Sequence, residues 1–101
     1  MREPVNTTRG EVLLQIDGRP VRLCVTLGAL AELEAAFDAG SFAELGERLA
    51  HLTAADLITV ISALSAGGGA ALGAAELWAA HVDPKAAAEA AAEAFRLAFD
   101  A

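Results

Sequence analysis

The sequence predicts an α+β domain: an N-terminal β-hairpin packed on an array of four to five α-helices. Val12, Leu14 and Ile16, then Val21, Leu23 and Val25, alternate with other residues on either side of the turn-forming segment Asp17-Gly18-Arg19-Pro20. From Leu30 onward the large apolar residues recur at helical spacing, separated by cap and breaker residues. A chain of 101 residues has room for one core, so residues 1–101 read as a single domain, with a leader at 1–9, the hairpin at 10–26 and helices at 27–101.

Residues 1–9 are polar and hold Pro4, Asn6, Thr7 and Thr8, the composition of a flexible leader. In the hairpin, two registers keep the apolar sets together. A two-residue Asp17-Gly18 turn pairs Leu14 with Val21 and Val12 with Leu23, whereas a four-residue loop from Asp17 to Pro20 pairs Ile16 with Val21. The longer loop is favoured, because Pro20 then need not donate a ladder hydrogen bond. Leu13, Arg22 and Cys24 fall on the other face. Two strands alone are marginal, so the helices must cover the apolar face. The outer edges are unprotected in the sequence. An edge beside Leu13 and Cys24 is a place for strand addition by a partner or by a second copy, which makes a homo-oligomer conceivable. Shielding of that edge by the polar leader is the competing reading.

Thr26 caps a first helix running to about Asp38, with Leu27, Leu30, Leu33 and Phe37 as its apolar residues and Gly40 as its stop. Ser41 caps a second, short helix in which Phe42, Leu45 and Leu49 form a stripe while Glu44, Glu47 and Arg48 stay in water. Thr53 and Asp56 form a capping box for a third helix, and Leu57, Ile58, Val60, Ile61 and Leu64 cover more than one of its faces. That helix should be central and most buried. Gly67, Gly68 and Gly69 stop it and read as a flexible connection to a shorter helix around Ala74 to His81 that carries Leu77 and Trp78. Asp83 and Pro84 then open the last helix, with Phe95 and Phe99 one turn apart.

Composition narrows the function. The hydrophobic fraction is 55%, but about a quarter of the residues are alanine, so the larger side chains decide the core. A net charge of −7 with only seven Lys and Arg argues against nucleic acid, whose phosphates need cations, and suits a basic partner or simple solubility. The lone Cys24 allows no intrachain disulfide and fits a reducing, cytoplasmic setting. The opening Met1-Arg2-Glu3-Pro4 lacks the apolar segment of a secretory signal. The uncharged run from Leu57 to Ala75 is broken by four glycines and diluted by Thr59, Ser62 and Ser65, so it reads as a buried helix and loop, not a membrane span.

No catalytic or cofactor constellation assembles. His51 and His81 have no ligand-spaced companions, and both fall near predicted helix ends, where imidazoles interact with the last carbonyls. The serines lack a nucleophile-elbow context. The glycine run follows a helix and is not succeeded by Lys-Ser or Lys-Thr, so it is no phosphate loop. The many carboxylates form a solvated face, with no pair isolated for acid and base roles. The expectation is a protein without enzymatic activity, metal or cofactor that binds other proteins. Its candidate interaction residues are Leu13, Arg22 and Cys24 on the hairpin, Trp78 after the glycine loop, and Phe95 and Phe99 on the last helix. For Trp78 the alternative is a core plug beneath the hairpin, and for the phenylalanines packing at home.

The run Arg9-Gly10-Glu11-Val12, the turn from Asp17 to Pro20 and above all Thr26-Leu27-Gly28-Ala29-Leu30-Ala31-Glu32-Leu33-Glu34 with Phe37 resemble the small gene transfer agent proteins of alphaproteobacteria. These are grouped with phage tail assembly chaperones and are also labelled tail tube proteins. The similarity extends from about Arg9 to Gly69, including Asp56-Leu57-Ile58, and is only general in the alanine-rich remainder. It implies a part in building the tail of a phage-like particle. One form of that role is a cytoplasmic assembly chaperone for the tape-measure or tail tube protein; another is a permanent tail component residing in the particle. A helical adaptor with an accidental resemblance is the third reading. Two short strands make a tube wall difficult, and helix-in-groove capture of an apolar helical partner suits the composition better.

Overall fold

The computed structural model describes residues 10–99, so the leader expected at 1–9 lies outside the described residues. Two antiparallel strands, β1 (Val12–Ile16) and β2 (Arg19–Leu23), precede α1 (Leu27–Phe37), α2 (Phe42–Leu49), α3 (Ala54–Gly67), α4 (Ala74–Ala79) and α5 (Pro84–Phe99). This is the α+β hairpin-and-helices architecture expected from the sequence.

The hairpin takes the two-residue turn, which corrects the favoured four-residue loop. Val12 pairs with Leu23, Leu14 with Val21, Gln15 with Pro20 and Ile16 with Arg19. Asp17 and Gly18 both sit at positive φ, 53° and 77°, the pair of left-handed residues that matches strand twist in a tight hairpin. Pro20 creates no conflict. The pair closing such a turn is hydrogen-bonded and the next is not, so the Pro20 nitrogen points away from β1. The turn is also held from outside: Asp17 N–H donates to the His81 carbonyl at 3.0 Å, and His81 N–H donates to Asp17 Oδ1 at 2.7 Å.

Leu14, Ile16 and Leu23 point into the core, with Val12, Val21 and Val25 packed at its margin. Opposite them α3 forms the centre, packing against α1, β2, α4 and α5, and it buries Val60, Ile61, Ala63 and Leu64. The last helix lies against both strands and buries Ala87, Ala90, Ala91 and Ala94, so its alanines bring two backbones close. Together these residues make one continuous core.

The predicted caps are in place. Thr26, Ser41 and Thr53 accept from the amides of Ala29, Glu44 and Asp56, and Asp56 completes a capping box by accepting from Thr53 N–H at 3.1 Å. The first helix ends at about Asp38 as expected, but the left-handed cap is Asp38 itself and not Gly40: Asp38 takes φ 52° while Ala39 N–H donates to the Glu34 carbonyl at 2.9 Å. The fourth helix stops at Ala79, short of His81.

The glycine run has a different role from the flexible connection expected. A Cβ on Gly67 would stand 2.1 Å from the Cys24 carbonyl oxygen, and one on Gly68 would stand 2.1 Å from that of Arg22. Cys24 N–H meanwhile donates to the Leu64 carbonyl at 3.0 Å. The end of α3 therefore docks on the outer edge of β2, and only residues without a side chain allow the approach. This also corrects the reading that both hairpin edges are unprotected. Beyond the glycines the loop is tied down by two serines: Ser65 Oγ accepts from Leu72 N–H at 2.9 Å, and Ser62 Oγ donates to the Leu72 carbonyl at 2.7 Å.

Candidate protein-interaction surface

The interaction residues expected from the sequence fall in three places. Leu13, Arg22 and Cys24 occupy the outer hairpin face, opposite the buried Leu14 and Leu23. Leu13 is 42% exposed, Arg22 and Cys24 are partly buried, and Arg22 Nε lies 3.9 Å from Glu11 Oε1. Trp78 is on α4 and is 70% exposed, while its neighbour Leu77 fills the core position. The core-plug alternative for Trp78 therefore fails, since one short helix supplies one inward residue per turn and Leu77 is that residue. Phe95 and Phe99 stack with ring centroids 6.3 Å apart; Phe95 is half-buried and Phe99 is 56% exposed. With Leu49 and Gly46 of α2 they line a shallow apolar groove at the ends of α2 and α5.

Phe42 was expected on a packed stripe and Leu27 just ahead of one, and both are exposed. Leu27 is 80% and Phe42 60% exposed. Each is the first residue of its helix, where a side chain tilts toward the N-terminus and reaches past the body that the rest of the stripe packs against. A second apolar groove, of about 190 Å³, runs beside α4 and is lined by Leu57, Ile58, Ile61, Leu77, Val82 and Ala87 among others. Its signal in the sequence is the extra apolar face of α3: Val60, Ile61 and Leu64 fill the core, and Leu57 and Ile58 on the adjoining face are left half-buried.

Polar side chains serve the fold. Arg48 Nη2 donates to Asp56 Oδ1 at 3.1 Å, and its guanidinium sits 5.0 Å from the Phe37 ring centroid, so one side chain of α2 bridges α1 and α3. Arg96 Nε donates to Glu93 Oε1 at 2.8 Å, and that hydrogen bond holds the Glu93 carboxyl below the ordinary carboxylate range. His81 Nδ1 lies 3.5 Å from Asp17 Oδ1 instead of meeting helix carbonyls. Among the described residues no group of three or more His, Cys, Asp or Glu side chains is placed to hold a metal ion. None of the described helices is long and apolar enough to cross a membrane.

Residues 9–101 match the family described as "Phage tail tube protein, GTA-gp10". The chain belongs to this family. The match runs through the alanine-rich C-terminal half, beyond the segment that carried the resemblance in the sequence, and it rules out an accidental likeness. No curated protein and no solved structure matches the chain. As a tail tube family member, the protein is a gene transfer agent and phage tail protein, of a family whose description is structural.

Proposed function

We propose that the protein is a non-enzymatic tail assembly chaperone, which holds the tape-measure or tail tube protein while a phage-like tail is built. The observation that carries this reading is the pair of aromatic sites, Trp78 on α4 and Phe99 beside Phe95 on α5, left on the surface of a fold that already has a full core. An exposed Trp, and Phe rings lining an apolar groove, are what a helical partner docks against, and desolvated aromatic anchors dominate such interfaces. The acidic surface, with a net charge of −7, favours partner segments rich in Lys and Arg. The working location of a chaperone is the cytoplasm.

A permanent structural tail component is the second reading, and the family's own description favours it. Against it stands the sheet, two strands of five residues each, which offers little to continue around a ring. Co-purification decides whether the aromatic sites bind. The purified chain should capture the tape-measure or tail tube protein, and Trp78→Ala or Phe95→Ala should weaken capture about tenfold or more. Capture of neither protein, or capture indifferent to both substitutions, would remove the chaperone reading.

A further inference from the structure

The two edges of the hairpin are treated differently. On β2 the outward groups meet the end of α3, through Cys24 N–H to the Leu64 carbonyl and through the close approach of Gly67 and Gly68. On β1 the outward-facing amides and carbonyls are those of Leu13 and Gln15, because their pairs with Arg22 and Pro20 are the non-hydrogen-bonded ones. Among the described residues no backbone bond from Leu13 or Gln15 leaves the hairpin. Proteins blunt such an edge with Lys, Pro or a bulge. Here β1 reads Val-Leu-Leu-Gln-Ile, its register is unbroken, and Leu13 is exposed beside the edge.

We infer that β1 pairs antiparallel with β1 of a second copy of this chain, across a two-fold axis at Leu13. Charge selects both the occupant and the register. A two-fold at Leu14 would set Glu11 of each copy opposite Asp17 of the other, two like-charge pairs directly apposed. A two-fold at Gln15 would set Leu13 opposite Asp17 and shorten the ladder. The axis at Leu13 sets Leu13 against Leu13 on the outer face, Glu11 against the neutral Gln15 twice, and Val12 against Leu14 twice on the core side. The same strand is thus complementary to itself in this register, and the result is a four-stranded sheet with both ends closed by α3. Five-residue strands bury well under the roughly 1,000 Å² of a stable interface, so the dimer is weak and concentration-dependent.

The test is sedimentation velocity on the full chain from about 10 μM to about 1 mM, a range chosen for a weak interface. The expected result is a reversible monomer–dimer equilibrium. Leu13→Lys and Leu13→Glu, at an exposed position that spares the core, should each weaken it about tenfold by apposing like charges at the axis. An equimolar mixture of the two variants should restore the dimer. A monomer throughout the range, a dimer indifferent to both variants, or a dimer lost in both and not restored by mixing would overturn the inference. So would a monomer whose Leu13 instead governs capture of an extended segment from another protein.

Discussion

At Gly68 a hydrogen stands where any side chain would meet the Arg22 carbonyl, and Gly67 stands likewise against Cys24. Their neighbours there are backbone atoms that cannot rotate away, so Gly67→Ala or Gly68→Ala should lower stability by about 3 kcal/mol. Gly46 is the counter-case, a glycine inside α2 whose Cβ would meet nothing within 4 Å. Gly46→Ala should raise stability by about 0.5–1 kcal/mol through helix propensity. Calorimetric melting of the three variants checks both signs at once. Glu93 offers a pH-dependent case at the same scale. Its carboxyl is held below the ordinary carboxylate range by the bond from Arg96, so the pair contributes above that range and the contribution is lost as pH falls through the lowered value. NMR titration should find Glu93 below an unperturbed glutamate and show it returning toward the ordinary range in Arg96→Gln.

Among the elements, α3 depends most on one junction. Asp56 caps its own helix, accepts from Arg48 of α2, and through Arg48 reaches Phe37 of α1. Asp56→Ala removes the box and the ion pair together and should cost about 1–3 kcal/mol, measured by urea unfolding with an unchanged m-value. Elements were legible in the sequence where their causes are local. Thr26, Ser41 and Thr53 each cap an amide three residues on, so three helix starts could be read from neighbouring letters. The hairpin turn was not readable this way. Two registers were equal in apolar pairing, and what holds the observed turn from outside is His81, distant in sequence. The Gly67-Gly68 contact with β2 was hidden for the same reason, since a glycine run looks alike whether it bends or touches. Of the candidate surface, the residue types were visible but their exposure was not: Trp78 and Leu77 are adjacent, and only the placement of α4 decides which of them faces inward.

For the whole molecule, a small acidic fold completes its core with Leu, Ile, Val and Ala and leaves Trp78, Phe99, Phe42 and Leu27 in water. Singly exposed apolar residues are ordinary on any surface, but the Phe95 and Phe99 rings line an apolar groove, and it is on these rings and on Trp78 that the proposed partner binding rests. A weak β1 pairing would present those sites twice, and paired weak sites gain avidity on a long, repetitive partner. The family is a phage tail family, and within a tail an assembly factor and a wall subunit differ in one respect: whether the chain stays. Quantitative mass spectrometry of purified mature particles measures this directly. The expected result is that the chain is absent or far below the copy number of the tube wall, while abundant in tail assembly intermediates. Finding it in mature particles at a fixed stoichiometric ratio to the other tail proteins would contradict the chaperone role and leave the structural one.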